Sequence, residues 1–136
     1  MTDIVSIADS SLSARISATG AELVRLRGRH GLDLLWDGNP AFWTGRAPLL
    51  FPLVGEAKGN VIRVDGVAYG IPRHGFARTS HFALVARTPA ACTWRLEASE
   101  ATWRQYPFDF RLDVTYAIEG GVLHMTAEVT NKGNRI

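Results

Sequence analysis

Cysteine occurs once in the 136 residues, at Cys92. A lone thiol excludes an intramolecular disulfide framework and a cysteine-based metal cluster. Lysine is nearly as scarce: only Lys58 and Lys132 stand among the 15 basic residues, and 13 acids leave a net charge of +2. The arginines that make up the rest are scattered singly, whereas nucleic-acid binders concentrate charge on one element. No nucleic-acid partner is therefore expected. The one local cluster, Arg25, Arg27 and Arg29, alternates along the chain and would share one solvated face of a strand. No apolar run approaches the ~20 residues that span a bilayer, so no membrane partner is expected. Met1 to Asp9 lacks a basic start and an apolar stretch, which argues against a secretory signal and for a cytoplasmic protein. A glycine-rich phosphate loop, a nucleophile elbow and a zinc motif are all missing. His30, His81 and His124 show no metal-ligand spacing, and no metal is expected.

What is present is an ordinary globular composition, 46% apolar and 21% charged, in a length that suits one domain over residues 1–136. Alternation of apolar and polar residues dominates. It predicts strands around Ile4–Ile7, Leu12–Ile16, Leu23–Leu26, Phe82–Ala86, Cys92–Leu96, Leu112–Ile118 and Val122–Val129. Asp65-Gly66 predicts a hairpin between Val61–Val64 and Val67–Tyr69, because a type I′ turn needs positive φ at both central residues. Gly120-Gly121 predicts a second. Helix signals are weak: Ser99–Arg104 has room for one turn before Tyr106-Pro107 stops it. The tail Asn131–Ile136 reads as a turn leading into another strand. Many short antiparallel strands with frequent turns predict an all-β sandwich. Cys92 alternates inward with Trp94 and reads as a small core residue, His124 as a surface or cross-strand residue, and Glu97 and Glu100 as solvated. Asp109 and Asp113 would share one side of a continuous strand, too isolated to form an acid–base pair.

Two stretches interrupt the strands. From Trp36 to Gly55 there are two Trp, two Phe, three Pro and three Gly, which suits a folded loop. Its aromatic faces beside Arg46 would suit a sugar, since pyranose C–H groups pack on rings and a guanidinium donates planar hydrogen bonds. The same aromatics would equally seal one end of a sandwich. The second stretch is Pro72-Arg73-His74-Gly75-Phe76-Ala77-Arg78. An imidazole at a tight turn, flanked by two arginines, suits an anionic ligand, and it also suits a structural histidine with solvated neighbours.

These two stretches, together with Tyr106-Pro107-Phe108-Asp109-Phe110, resemble the aldose 1-epimerase (galactose mutarotase-like) family. The likeness is greatest to its bacterial branch with a Gly-Arg-Ala-Pro-x-Leu-Phe-Pro loop and a His-Gly-Phe-Ala-Arg loop. It covers nearly the whole chain in order, including Gly20-Ala21-Glu22-Leu23. The resemblance implies an antiparallel supersandwich that interconverts α and β anomers of an aldose or aldose phosphate without a cofactor. A His acid and a Glu base straddle the hemiacetal in that chemistry. His74 would help hold the sugar, Arg78 would contact a phosphate, and Arg46 is the nearest match to an arginine facing the sugar.

The family's catalytic His and Glu fall in segments beyond Ile136, so the chain is expected to be an N-terminal half without catalytic residues. A monosaccharide or sugar phosphate is the expected ligand. Two other readings remain open at this point. One is a non-catalytic sugar-binding module. The other is a protein-interaction module that self-associates through exposed sheet edges.

Overall fold

A computed structural model describes residues 3–135. Among the described residues there are nine strands: β1 (Ile4–Ala8), β2 (Ser13–Ser17), β3 (Leu23–Arg27), β4 (Val61–Val64), β5 (Val67–Gly70), β6 (Ala83–Thr88), β7 (Ala91–Glu97), β8 (Phe110–Glu119) and β9 (Val122–Asn131). All strand pairs are antiparallel, in sheets of order β1-β2-β3, β4-β5 and β6-β7-β8-β9. The fold is the all-β sandwich that the alternation predicts.

Strand β8 shows why. Phe110, Leu112, Val114, Tyr116 and Ile118 are buried, and the residues between them are not. Cys92, Trp94 and Leu96 of β7 add to that face. Val5, Ile7, Ala14 and Ile16 from the first sheet close over it in one core cluster. Burial of apolar area contributes about 25 cal/mol per Å², which makes this interlayer cluster the main stabilising element. On the opposite face of β7–β8, Arg95 donates to Asp113 at 2.7 and 2.9 Å, and Thr93 bonds Thr115 at 2.9 Å. The Arg95 hydrogen bonds hold the Asp113 carboxyl below its ordinary range.

The turns follow the sequence closely. Asp65 and Gly66 take φ of 51° and 80°, as a type I′ turn requires. The predicted helical turn is α1 (Glu100–Trp103). Ser99 and Thr102 form a reciprocal capping box, in which each side chain accepts from the other's backbone N–H.

Three expectations change. Phe82 is fully buried but precedes β6, and β6 is exposed along its whole length. A register shift between Leu84 and Ala86 breaks the alternation there. Arg29 leaves the strand face shared by Arg25 and Arg27, because β3 stops at Arg27 and Arg29 opens a 3₁₀ turn. Asp109 precedes β8 and accepts from the Trp103 indole at 2.9 Å, so it does not share a continuous strand with Asp113. The strand expected after the tail turn would fall on Ile136, outside the described residues. Arg135 pairs with Asp65 at 2.7 Å. Among the described residues no helix is long and apolar enough to cross a membrane.

Candidate functional site

The β2–β3 turn, the long loop before β4 and the His74 loop converge. Tyr116, buried on β8, donates its hydroxyl to the Ala21 carbonyl at 2.8 Å, and burial pushes its phenol well above the ordinary value. That bond fixes the turn that carries Glu22. The Glu22 carboxylate then accepts from the backbone N–H groups of Arg46 at 2.7 Å and Ala47 at 2.9 Å. On its other side the turn meets the His74 loop: the Gly20 N–H donates to the Ser80 carbonyl at 2.8 Å, and a Cβ on Gly20 would lie 2.8 Å from the Arg78 carbonyl oxygen.

The two loops are also joined directly. The Phe51 carbonyl accepts from the N–H groups of Phe76 (3.0 Å) and Ala77 (3.2 Å). Gly75 lies so close that a Cβ there would sit 2.2 Å from the same oxygen. His74 is held twice by Gly55. Its N–H donates to the Gly55 carbonyl at 2.8 Å, and its ring Nδ1 accepts from the Gly55 N–H at 2.9 Å. An Nδ1 that accepts carries no proton, so the proton of the neutral ring sits on Nε2. The half-buried imidazole is thereby held in one orientation and one tautomer.

Aromatic rings complete the join. Phe51 from the first loop, Phe76 from the second, and Tyr106 and Phe110 from the third stretch are all in mutual edge-to-face or tilted contact, with centroids 5.1–6.5 Å apart. The three stretches that carry the family resemblance, widely separated in sequence, therefore meet at one cluster.

His74 and Arg78 share one loop, and Arg78 donates to the Arg73 carbonyl at 3.2 Å. Arg46 lies elsewhere. Its Nη2 donates to the Asp37 carbonyl at 2.6 Å, and its guanidinium packs against Gly38. It lines a cavity of about 500 Å³ with Trp36, Asp37, Arg15, Arg25 and Asp33, which His74 and Arg78 do not line. Asp33 engages Arg25 and Arg27, each at 3.1 Å, and their hydrogen bonds, Arg27 first, pull its carboxyl down to about 2. Of the aromatics in the first loop, Phe51 belongs to the cluster. Trp36 and Phe42 form a separate pair near the surface, with the Trp36 indole donating to the Trp43 carbonyl at 2.9 Å. Among the described residues no three His, Cys, Asp or Glu side chains gather as a metal site.

Glu22 is the residue that sequence reasoning passed over. Its partners are backbone amides twenty-four and twenty-five positions away, which leave no side-chain signature. The available signal was an acid set between the turn residues Gly20-Ala21 and the apolar Leu23. Glu22→Ala is expected to leave two amides without their acceptor and to cost about 1–3 kcal/mol. Glu22→Gln, which keeps a carbonyl oxygen, is expected to lose less. Urea midpoints of the two variants check this, and equal losses would remove the carboxylate clamp.

Residues 3–136 match the family described as aldose 1-epimerase. The Lactococcus lactis chromosomal protein LacX is 26% identical over 132 residues, covering 93% of this chain and 44% of that protein. A Salmonella typhimurium protein provisionally assigned as a glucose-6-phosphate 1-epimerase is 30% identical over 120 residues, covering 81% of this chain and 38% of that protein. Among solved structures, the galactose mutarotase related enzyme of Lactobacillus acidophilus superposes with a TM-score of 0.94 at 31% identity, over 96% of this chain and 44% of that one. The chain thus spans less than half the length of these relatives, within an antiparallel β fold they share. The match runs from Asp3 to the last residue and takes in every element of the joined loops, and the chain belongs to the aldose 1-epimerase family.

Proposed function

We propose that this chain supplies part of the sugar-holding wall of a site that interconverts α and β anomers of an aldose or aldose phosphate. The observation that carries the reading is the fixed imidazole of His74, whose Nδ1 is occupied by Gly55 and whose Nε2–H remains as a donor. A sugar hydroxyl or ring oxygen is a suitable acceptor for it. Arg78, on the same loop, is the phosphate contact in this reading, and the provisional assignment of the Salmonella relative supports a phosphorylated substrate. Arg46 acts through the first loop and its separate cavity. The acid–base pair that moves the protons is not among the residues of this chain.

Polarimetry on freshly dissolved α-glucose or α-galactose tests the division of labour. The chain alone is expected to leave the rate at that of buffer, and a clear acceleration would overturn the absence of an acid–base pair. In the same preparation, glucose 6-phosphate is expected to raise the melting temperature more than glucose does. Equal shifts would remove the phosphate contact, and no shift with either ligand would remove the sugar wall.

A further inference from the structure

The loop that carries His74 and Arg78 has two separate anchors. Its first half is fixed to the long loop before β4. Gly55 holds His74 through both of its backbone groups, and the Phe51 carbonyl accepts from the N–H groups of Phe76 and Ala77. Its second half is fixed to the end of β2 and the β2–β3 turn. There the Gly20 N–H donates to the Ser80 carbonyl at 2.8 Å, Thr19 bridges His81, and the Phe82 N–H donates to the Ala18 carbonyl at 2.8 Å. The anchor changes between Ala77 and Arg78, inside one 3₁₀ turn (Ala77–Thr79). His74 therefore stands on one anchor and Arg78 on the other.

Gly20 is the point of closest approach to Arg78. A Cβ at Gly20 would lie 2.8, 3.1 and 3.2 Å from the Arg78 carbonyl oxygen, Cα and carbonyl carbon. All three are main-chain atoms, so a side chain at this position must move the Arg78 backbone. The φ of +71° also suits glycine. Ala21 follows at φ 45°, a left-handed conformation that a residue with a side chain keeps only where its surroundings hold it. The Tyr116 hydroxyl holds it, by donating to the Ala21 carbonyl at 2.8 Å. Glu22 joins the turn to the first loop at Arg46 and Ala47, ahead of Phe51 and Gly55. We infer that Gly20 is a positioning residue for Arg78: its bare backbone, in a turn pinned by Tyr116, sets where Arg78 stands and does not set His74. The inference rests on the proposed reading of His74 as the sugar contact and Arg78 as the phosphate contact. It adds that the two contacts are separable, the first tuned through Gly55 and the second through the β2–β3 turn. The Arg78 guanidinium already gives one N–H to the Arg73 carbonyl at 3.2 Å, so a displaced backbone changes how its remaining N–H groups are presented.

Amide resonances of the isotope-labelled chain read the anchors without any ligand. Gly20→Ala is expected to move those of Arg78, Thr79 and Ser80 and to leave those of Gly55 and His74 in place. Equal movement at His74 overturns the separate anchors. Melting-temperature shifts then read recognition. In Gly20→Ala, glucose 6-phosphate is expected to lose its excess over glucose, while the shift with glucose is retained. Gly59→Ala has the same left-handed backbone but open space around its Cβ, and it is expected to keep the excess despite its own loss of stability. Tyr116→Phe removes a single hydroxyl and is expected to narrow the excess in the same direction, which carries the test where Gly20→Ala fails to fold. An unchanged excess in the folded variant overturns the positioning role. Loss of the glucose shift together with the excess overturns the separation of the two contacts. A wild type without the excess removes the phosphate contact of the proposed function, a failure distinct from these, and the amide resonances still decide whether Gly20 places Arg78.

Discussion

Gly75→Ala is expected to destabilise the protein by about 4 kcal/mol or more, at the extreme of single-substitution effects. Two costs combine. Gly75 has φ of +71°, where an L side chain costs about 1–2 kcal/mol. The added methyl would also sit 2.2 Å from the Phe51 oxygen and 2.6 Å from both the Phe51 carbonyl carbon and Pro52 Cδ. These are backbone and ring atoms that cannot swing aside. Relief requires parting the two loops, with loss of the bonds from Phe76 and Ala77 to Phe51 and of the Gly55–His74 pair. Gly59→Ala separates the two costs. Gly59 has φ of +66° and nothing within 4 Å of its added Cβ, so it should lose only the backbone share. Denaturant midpoints for the two variants decide the matter, and equal shifts would remove the close contact from the account.

Phe110→Ala is expected to cost about 3–5 kcal/mol. The ring is 4% exposed and touches Phe51, Phe76 and Tyr106. Its removal leaves a cavity bordered by rings from both loops, so the loss should register at the candidate site as well as in global stability. Phe110→Leu refills much of that volume and should lose less. Calorimetry reads the stability, and hydrogen exchange at the Phe76 and Ala77 amides reads the local effect. If those amides exchange no faster in a still-folded Phe110→Ala variant, the cluster does not hold the loops together.

The sandwich was legible because β8 buries every second residue over its full length, a pattern that only a strand packed on one face produces. The Asp65-Gly66 hairpin was legible because its turn chemistry is local. β6 was not, since a register shift moves side chains to the wrong face without altering the composition of the segment. The candidate loops were legible as unusual stretches in the right order, and the aromatic cluster gives the physical reason that they travel together. How they join was not legible. The Phe51 carbonyl, the Gly55 amide and the Arg46 amide are backbone groups, and any residue there would offer the same atoms. Glu22 was hidden for the same reason. The separation of Arg46 from the His74 loop follows from the path of the first loop, which anchors its guanidinium at Asp37.

The hydrogen bond from the Gly55 amide to Nδ1 gives His74 a one-way polarity. A free imidazole can meet a ligand with either a lone pair or a proton. This one has committed its lone pair to the backbone and faces any ligand with N–H alone. Whatever sits against Nε2 must therefore bring a lone pair. A hydroxyl or ether oxygen qualifies, whereas an ammonium in the same place would set donor against donor. Under the proposed function, the loop would distinguish an oxygen from a protonated amine at one position of an otherwise identical sugar.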